Sequence, residues 1–205
     1  MARSRALIGV WILAQIIMRC HVEAAQGARQ KQSDPPLTLA IYNHAHVSEQ
    51  TLSDVESVAS EIFRRAGVQL VWLDGFAYAA ERRKTEIPTP EDPAILVVKL
   101  QPKSEVARYG VRSVCGGLGF ESGAIIFVPS SDARGGTPNA GSLGYILAHE
   151  IGHMVLGPNA HSLVGIMRGT LNEEAWTQAE QGSLGFTKSQ AGQIRTWIAK
   201  RRAGV

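Results

Sequence analysis

Three of the six histidines in this chain fall within thirteen residues, in the stretch "HEIGHMVLGPNAH" from His149 to His161. His149 and His153 are four apart. On an α-helix that spacing stacks two side chains on one face, a turn apart, so both imidazoles can point at one ion. Glu150 lies beside them, within reach of a water at that ion. This is the chemical content of the pattern H-E-x-x-H, which supplies two zinc ligands and a general base. Two ligands are too few, because a catalytic zinc keeps three protein ligands and one open position. The apolar helix face runs out at Leu156. Gly157 can take the left-handed conformation that ends a helix, and Pro158 cannot continue one. A sharp turn there can bring His161 back toward the ion as the third ligand. H-E-x-x-H alone arises by chance in many unrelated proteins. A third histidine just past a helix break makes the metal reading specific.

Other residues have chemistry to offer but also plainer readings. Tyr145 lies one turn before His149 on the same face, where it either lines the site or is a buried structural tyrosine. His44 and His46, in "YNHAH", have strand spacing and face the same side; they make a second metal site or a solvated strand end. The glycines of "YGVRSVCGGLGF" permit either close backbone approach by a substrate or a bulged surface strand.

These side chains need a scaffold, and its elements can be read along the chain. "LTLAIYNHA" from Leu37 reads as a strand. Ser48 offers an N-cap to a helix of about 18 residues, with Leu52, Val55, Val58, Ala59, Ile62 and Phe63 on one face and Gly67 at its end. "VQLVWLD" and "AILVVKL" from Ala94 read as two more strands. The charged, proline-rich "ERRKTEIPTPEDP" between them reads as an exposed loop. "EVARYGVRSVCGGLGF" reads as an irregular edge strand and "GAIIFVP" from Gly123 as a regular one. "SSDARGGTPNAG" reads as a loop, and the histidine helix follows at about Ser142 to Leu156. Two helical segments close the chain, from Asn172 and from Thr187, the second amphipathic through Ile194, Trp197 and Ile198. The order predicts an α+β fold: a twisted mixed sheet backed by two helices, with a smaller, mostly helical C-terminal lobe.

Composition sets limits on partners and compartment. The chain has 205 residues and a formal net charge of +3. Residues 1–25 read as a secretory signal: Arg3 and Arg5, then an apolar run from Leu7 to Met18 too short to span a bilayer, then Ala24 and Ala25. Arg19 stands where a lipoprotein signal at Cys20 would need a small residue. Without the leader 18 basic and 17 acidic residues remain. That balance argues against nucleic acid or an anionic membrane as partner, and no stable membrane anchor is expected after processing. Residues 26–36 are a polar lead-in, and 37–205 form one domain. Cys115 is then the only cysteine, so no intrachain disulfide is expected.

Taken together, "HEIGHMVLGPNAHSLVGIM" resembles the zinc motif of the metzincin peptidases, H-E-x-x-H-x-x-G-x-x-H followed by a methionine in a tight turn. An extra residue sits on each side of the glycine, giving H-E-x-x-H-x-x-x-G-x-x-x-H, a spacing similar to the igalysin branch. The resemblance spans Leu37 to Val205, although only the zinc motif and the methionine are specific. It implies Zn2+ held by His149, His153 and His161, with Glu150 passing a proton from a zinc-activated water to the leaving amine. Met167 would be the Met-turn residue, an apolar floor to the site; a simple core methionine is the alternative. An extended peptide or protein substrate would pair with the edge strand before the histidine helix, and "RGTLNEE" after Met167 would wall the pocket. Neither Cys115 nor Asp34 is expected to act as an inhibitory ligand. The reading is of a secreted or periplasmic zinc metallopeptidase. The alternative is a catalytically silent metzincin-fold zinc-binding module.

Overall fold

The computed structural model describes residues 36–84, 95–110, 117–120, 123–128, 139–170 and 172–204. The predicted signal, Asp34, Cys115 and most of the two predicted loops lie outside the described residues. Five strands are described: β1 (Pro36–Asn43), β2 (Gln69–Asp74), β3 (Ile95–Pro102), β4 (Gly117–Phe120) and β5 (Gly123–Val128). They form one mixed sheet in the order β2-β1-β3-β5-β4. β1 pairs in parallel with β2 and with β3, and β3 in parallel with β5. β4 lies antiparallel on β5 at the sheet edge, with Gly119 opposite Ala124. The parallel strands carry the nearly continuous apolar runs that strands covered on both faces require.

Five α-helices are described beside the sheet: α1 (Glu49–Arg65), α2 (Gly75–Lys84), α3 (Ala140–Leu156), α4 (Glu173–Glu180) and α5 (Lys188–Arg202). The fold is α+β. Ser48 caps α1 by accepting from the Thr51 N–H at 3.1 Å, and Gly67 follows it with φ 74°. Val55, Ala59, Ile62 and Phe63 of α1 join Leu39, Leu96, Val98 and Ile126 of the sheet and Leu147 and Ile151 of α3 in one buried cluster. α3 packs against α1, β4, β5 and α5. This central placement explains why α3 is apolar nearly all round. Asn172 caps α4, and Thr187 caps α5 through a reciprocal capping box with Gln190. Ile194 and Ile198 of α5 are fully buried.

The structure departs from the sequence reading at three places. Glu81–Lys84, read as the start of a loop, complete α2. Asp74 starts that helix by accepting from the Ala77 N–H at 2.8 Å, a cap hidden at the end of a strand. Lys103–Tyr109 form a 3-10 helix, and the described part of the edge strand is Gly117–Phe120. Helix α3 begins at Ala140 rather than Ser142, because Asn139 is the N-cap. Among the described residues no helix is long and apolar enough to cross a membrane.

Candidate metal centre

Helix α3 carries His149, Glu150 and His153 on its face toward a cleft of about 560 Å³. Leu156 is its last residue. Gly157 then takes φ 96° and ψ 165° while its N–H still caps the His153 carbonyl at 3.0 Å. L side chains rarely adopt that backbone conformation, so glycine is required there by geometry rather than by space. The chain turns through Pro158 and Asn159 and returns His161 to the two helical histidines.

The three imidazoles converge. Nε2 of His153 lies 3.0 Å from Nε2 of His149 and 3.1 Å from Nε2 of His161. Three potential ligand atoms, one from each ring, all lie within 4.8 Å of one another. The ring tautomers follow from the remaining contacts. Nδ1 of His149 is 2.7 Å from the Ile166 carbonyl oxygen, and Nδ1 of His153 is 3.2 Å from that of Gly157. A carbonyl only accepts, so each Nδ1 carries the proton and donates it. In the neutral ring Nε2 is then a bare lone pair. Burial pushes the His149 and His153 imidazoles below the ordinary histidine range, and the neighbouring histidines push the same way. Both shifts favour the neutral ring, against the opposing pull of the hydrogen bonds to Ile166 and Gly157. Lone pairs facing one another at about 3 Å repel unless they share a cation. The two separations to His153 lie near the roughly 3.3 Å between two nitrogens bound tetrahedrally at 2.0–2.1 Å. Neutral imidazoles whose second nitrogen is bonded to a carbonyl are the usual donor set of such an ion.

Glu150 stands outside this ligand cluster and beside it. Its residue is 7% exposed. Desolvation raises the carboxyl pKa to about 7, against the opposing pull of a hydrogen bond from the Gly119 N–H. That bond ties α3 to β4. A methyl group on Gly119 would stand 2.7 Å from His153 Cβ and 2.8 Å from the Glu150 backbone oxygen, so only glycine lets the edge strand come this close. Gly117 is similarly pressed against the Glu150 side chain.

Met167 is fully buried. Its sulfur packs against Gly152, between the two helical histidines, where a Cβ would collide with it. Its carbonyl accepts the Ser162 N–H at 2.8 Å. The turn after His161 thus packs beneath the histidine helix.

The cleft is walled by Gly117, Leu118 and Gly119 on one side and by Arg168, Gly169 and Thr170 on another, with Ile146 and Trp176 as apolar surface. The segment after Met167 lines the cleft where the sequence placed it. Trp176 of α4 had no signal beyond its type. The contributions of Gly119 and Gly152 were equally hidden, because close approach between distant segments leaves no local pattern. Tyr145 is not at the site; its buried hydroxyl donates to the Ala179 carbonyl at 2.8 Å. His44 packs edge-on against Phe76, and His46 is exposed with φ 52°. Neither belongs to a group of three ligand side chains among the described residues. Compared with known proteins, the chain matches no family model and no curated protein.

Proposed function

We propose that this chain is an exported zinc metallopeptidase of the metzincin type, with the longer histidine spacing of the igalysin branch. The observation that carries the reading is the convergence of three imidazole Nε2 atoms, two of them bare lone pairs by their tautomer, beside a buried carboxyl group at an open cleft. The α+β order and the buried methionine under the histidine helix support it. Three imidazoles suit zinc, and the set is one protein ligand short of a closed structural site.

The chain's own groups divide the work as follows. His149, His153 and His161 hold the ion through Nε2, and the carbonyls of Ile166 and Gly157 keep the first two rings in the binding tautomer. Zinc held there supplies Lewis acidity, which acidifies a water and polarises a scissile carbonyl. Glu150 takes a proton from the attacking water and delivers it to the departing amine. The Gly119 N–H holds that carboxyl in place. β4, at the sheet edge beside the cleft, offers main-chain groups to an extended peptide, which is strand addition.

Incubating the zinc-loaded protein with a diverse peptide mixture and sequencing the products tests the reading. Cleavage that a chelator abolishes and zinc restores supports it. A fully zinc-loaded protein that cleaves nothing would favour the alternative, a zinc-binding module without catalysis.

A further inference from the structure

Two of the three histidines lie on a helix, while the third lies on a loop whose anchor comes from the far end of the chain. We propose that Gln190 is a positioning residue for His161, acting through Ser162. The proposal rests on the metal-binding half of the reading above and not on hydrolysis.

Four polar or charged side chains are buried among the described residues: Thr51, Glu150, His153 and Gln190. Thr51 serves the cap of α1, and two belong to the metal centre. Gln190 lies in the first turn of α5, and a buried amide needs partners on both its ends. Its Oε1 accepts the Thr187 N–H at 3.0 Å, which closes the capping box. Its Nε2 donates to Ser162 Oγ at 3.1 Å, across 28 residues of chain. Ser162 is fixed twice more. Its hydroxyl donates to the Val164 carbonyl at 2.8 Å, and its N–H donates to the Met167 carbonyl at 2.8 Å.

His161 depends on this neighbour more than the other two histidines do on theirs. It is the exposed member of the three. Its Nδ1 finds no hydrogen-bond partner among the described residues, so none of their carbonyls orients the ring. Gly169 packs flat beside it; a Cβ there would lie 3.3 Å from Nδ1. The ring's reach toward the other two is therefore set by its backbone, and Ser162 is the next residue. Metal ligation tolerates errors of roughly 0.2 Å, so a small drift of Ser162 is felt at the third ligand. One side chain thus couples the start of the last helix to the metal centre.

Zinc affinity of the metal-free full chain, measured by chelator competition, tests this together with the visible absorption of the cobalt-substituted protein. Gln190→Ala and Ser162→Ala should each weaken zinc binding about ten-fold and alter the cobalt spectrum. The double variant should be no worse than either single one, because both remove the same link. Thr187→Ala removes the capping hydroxyl but keeps the bond between Gln190 and Ser162. It should lower thermal stability while zinc affinity stays within about two-fold of wild type. Wild-type zinc affinity in Ser162→Ala, strictly additive losses in the double variant, or an equal loss in Thr187→Ala would each overturn the proposal. Ser162→Ala keeps the capping box, so it remains informative if Gln190→Ala fails to fold. A wild-type chain that takes up no zinc overturns the metal reading and this proposal together. The expected affinity pattern without any peptide hydrolysis overturns the peptidase reading alone.

Discussion

His149 and Ile166 are 17 residues apart, and the ring Nδ1 of the first donates to the carbonyl of the second at 2.7 Å. That bond orients a histidine of the helical pair from the turn that carries Met167. Ile166 and Met167 are both fully buried, so the carbonyl is held by packing on either side of it.

Met167→Ala should therefore act twice. Emptying a fully buried methionine costs about 2–5 kcal/mol of stability. The resulting play in the turn should also loosen the Ile166 carbonyl and weaken metal binding. Denaturant unfolding of the metal-free protein and zinc titration measure the two effects separately. Loss of stability with unaltered zinc affinity would mean that Met167 is core packing alone.

Gly119→Ala inserts a methyl group against the backbone oxygen of Glu150 and Cβ of His153. Neither atom can swing aside, so β4 must move and Glu150 loses the Gly119 N–H. The expected result is a protein destabilised by about 1–3 kcal/mol that still binds zinc but hydrolyses peptides more slowly. Crystallography of the variant would show β4 displaced from α3. An undisturbed strand with full activity would contradict the role given to this contact.

The histidine cluster was legible because it is written in short-range spacing. The i, i+4 histidines need only a helix, and Gly157–Pro158 need only the rules of helix ends. The cap at Ser48 and the starts of the last two helices at Asn172 and Thr187 were readable for the same reason. What was not legible depends on segments far apart in sequence. The Gly119 contact with Glu150, the Met167 sulfur on Gly152 and the reach of Gln190 to Ser162 all arise from packing between elements. Asp74 and Asn139 were missed as caps, one hidden at the end of a strand and the other inside a glycine-rich stretch read as loop.

Tyr145→Phe separates structure from function on the histidine helix. The buried hydroxyl donates to the Ala179 carbonyl, and removing it takes away that one bond while the carbonyl keeps the Gly182 N–H at 2.8 Å. A loss of about 1 kcal/mol in unfolding free energy is expected, with zinc affinity and peptide hydrolysis unchanged. A fall in turnover without a fall in stability would move Tyr145 into the active site.

Metal removal should show in stability as well as activity. An ion that binds only the folded chain adds ~2.7 kcal/mol at a hundred times its dissociation constant. The thermal midpoint should accordingly rise on adding zinc and fall on chelation. His149→Ala and His153→Ala should abolish that rise, and His161→Ala should weaken it strongly, because a two-ligand site is poor. A full zinc-dependent rise in His161→Ala would mean that the loop does not deliver the third ligand.

The most direct test of the central claim is the comparison of Glu150→Gln with wild type on a peptide that the wild type cleaves. Glu150 stands beside the three histidines and outside their cluster, so its loss should spare a metal held there. One zinc per chain is expected in both proteins, with hydrolysis slower by about a hundred- to ten-thousand-fold in the variant. Equal cleavage by the two zinc-loaded proteins would contradict the claim and place the active site elsewhere.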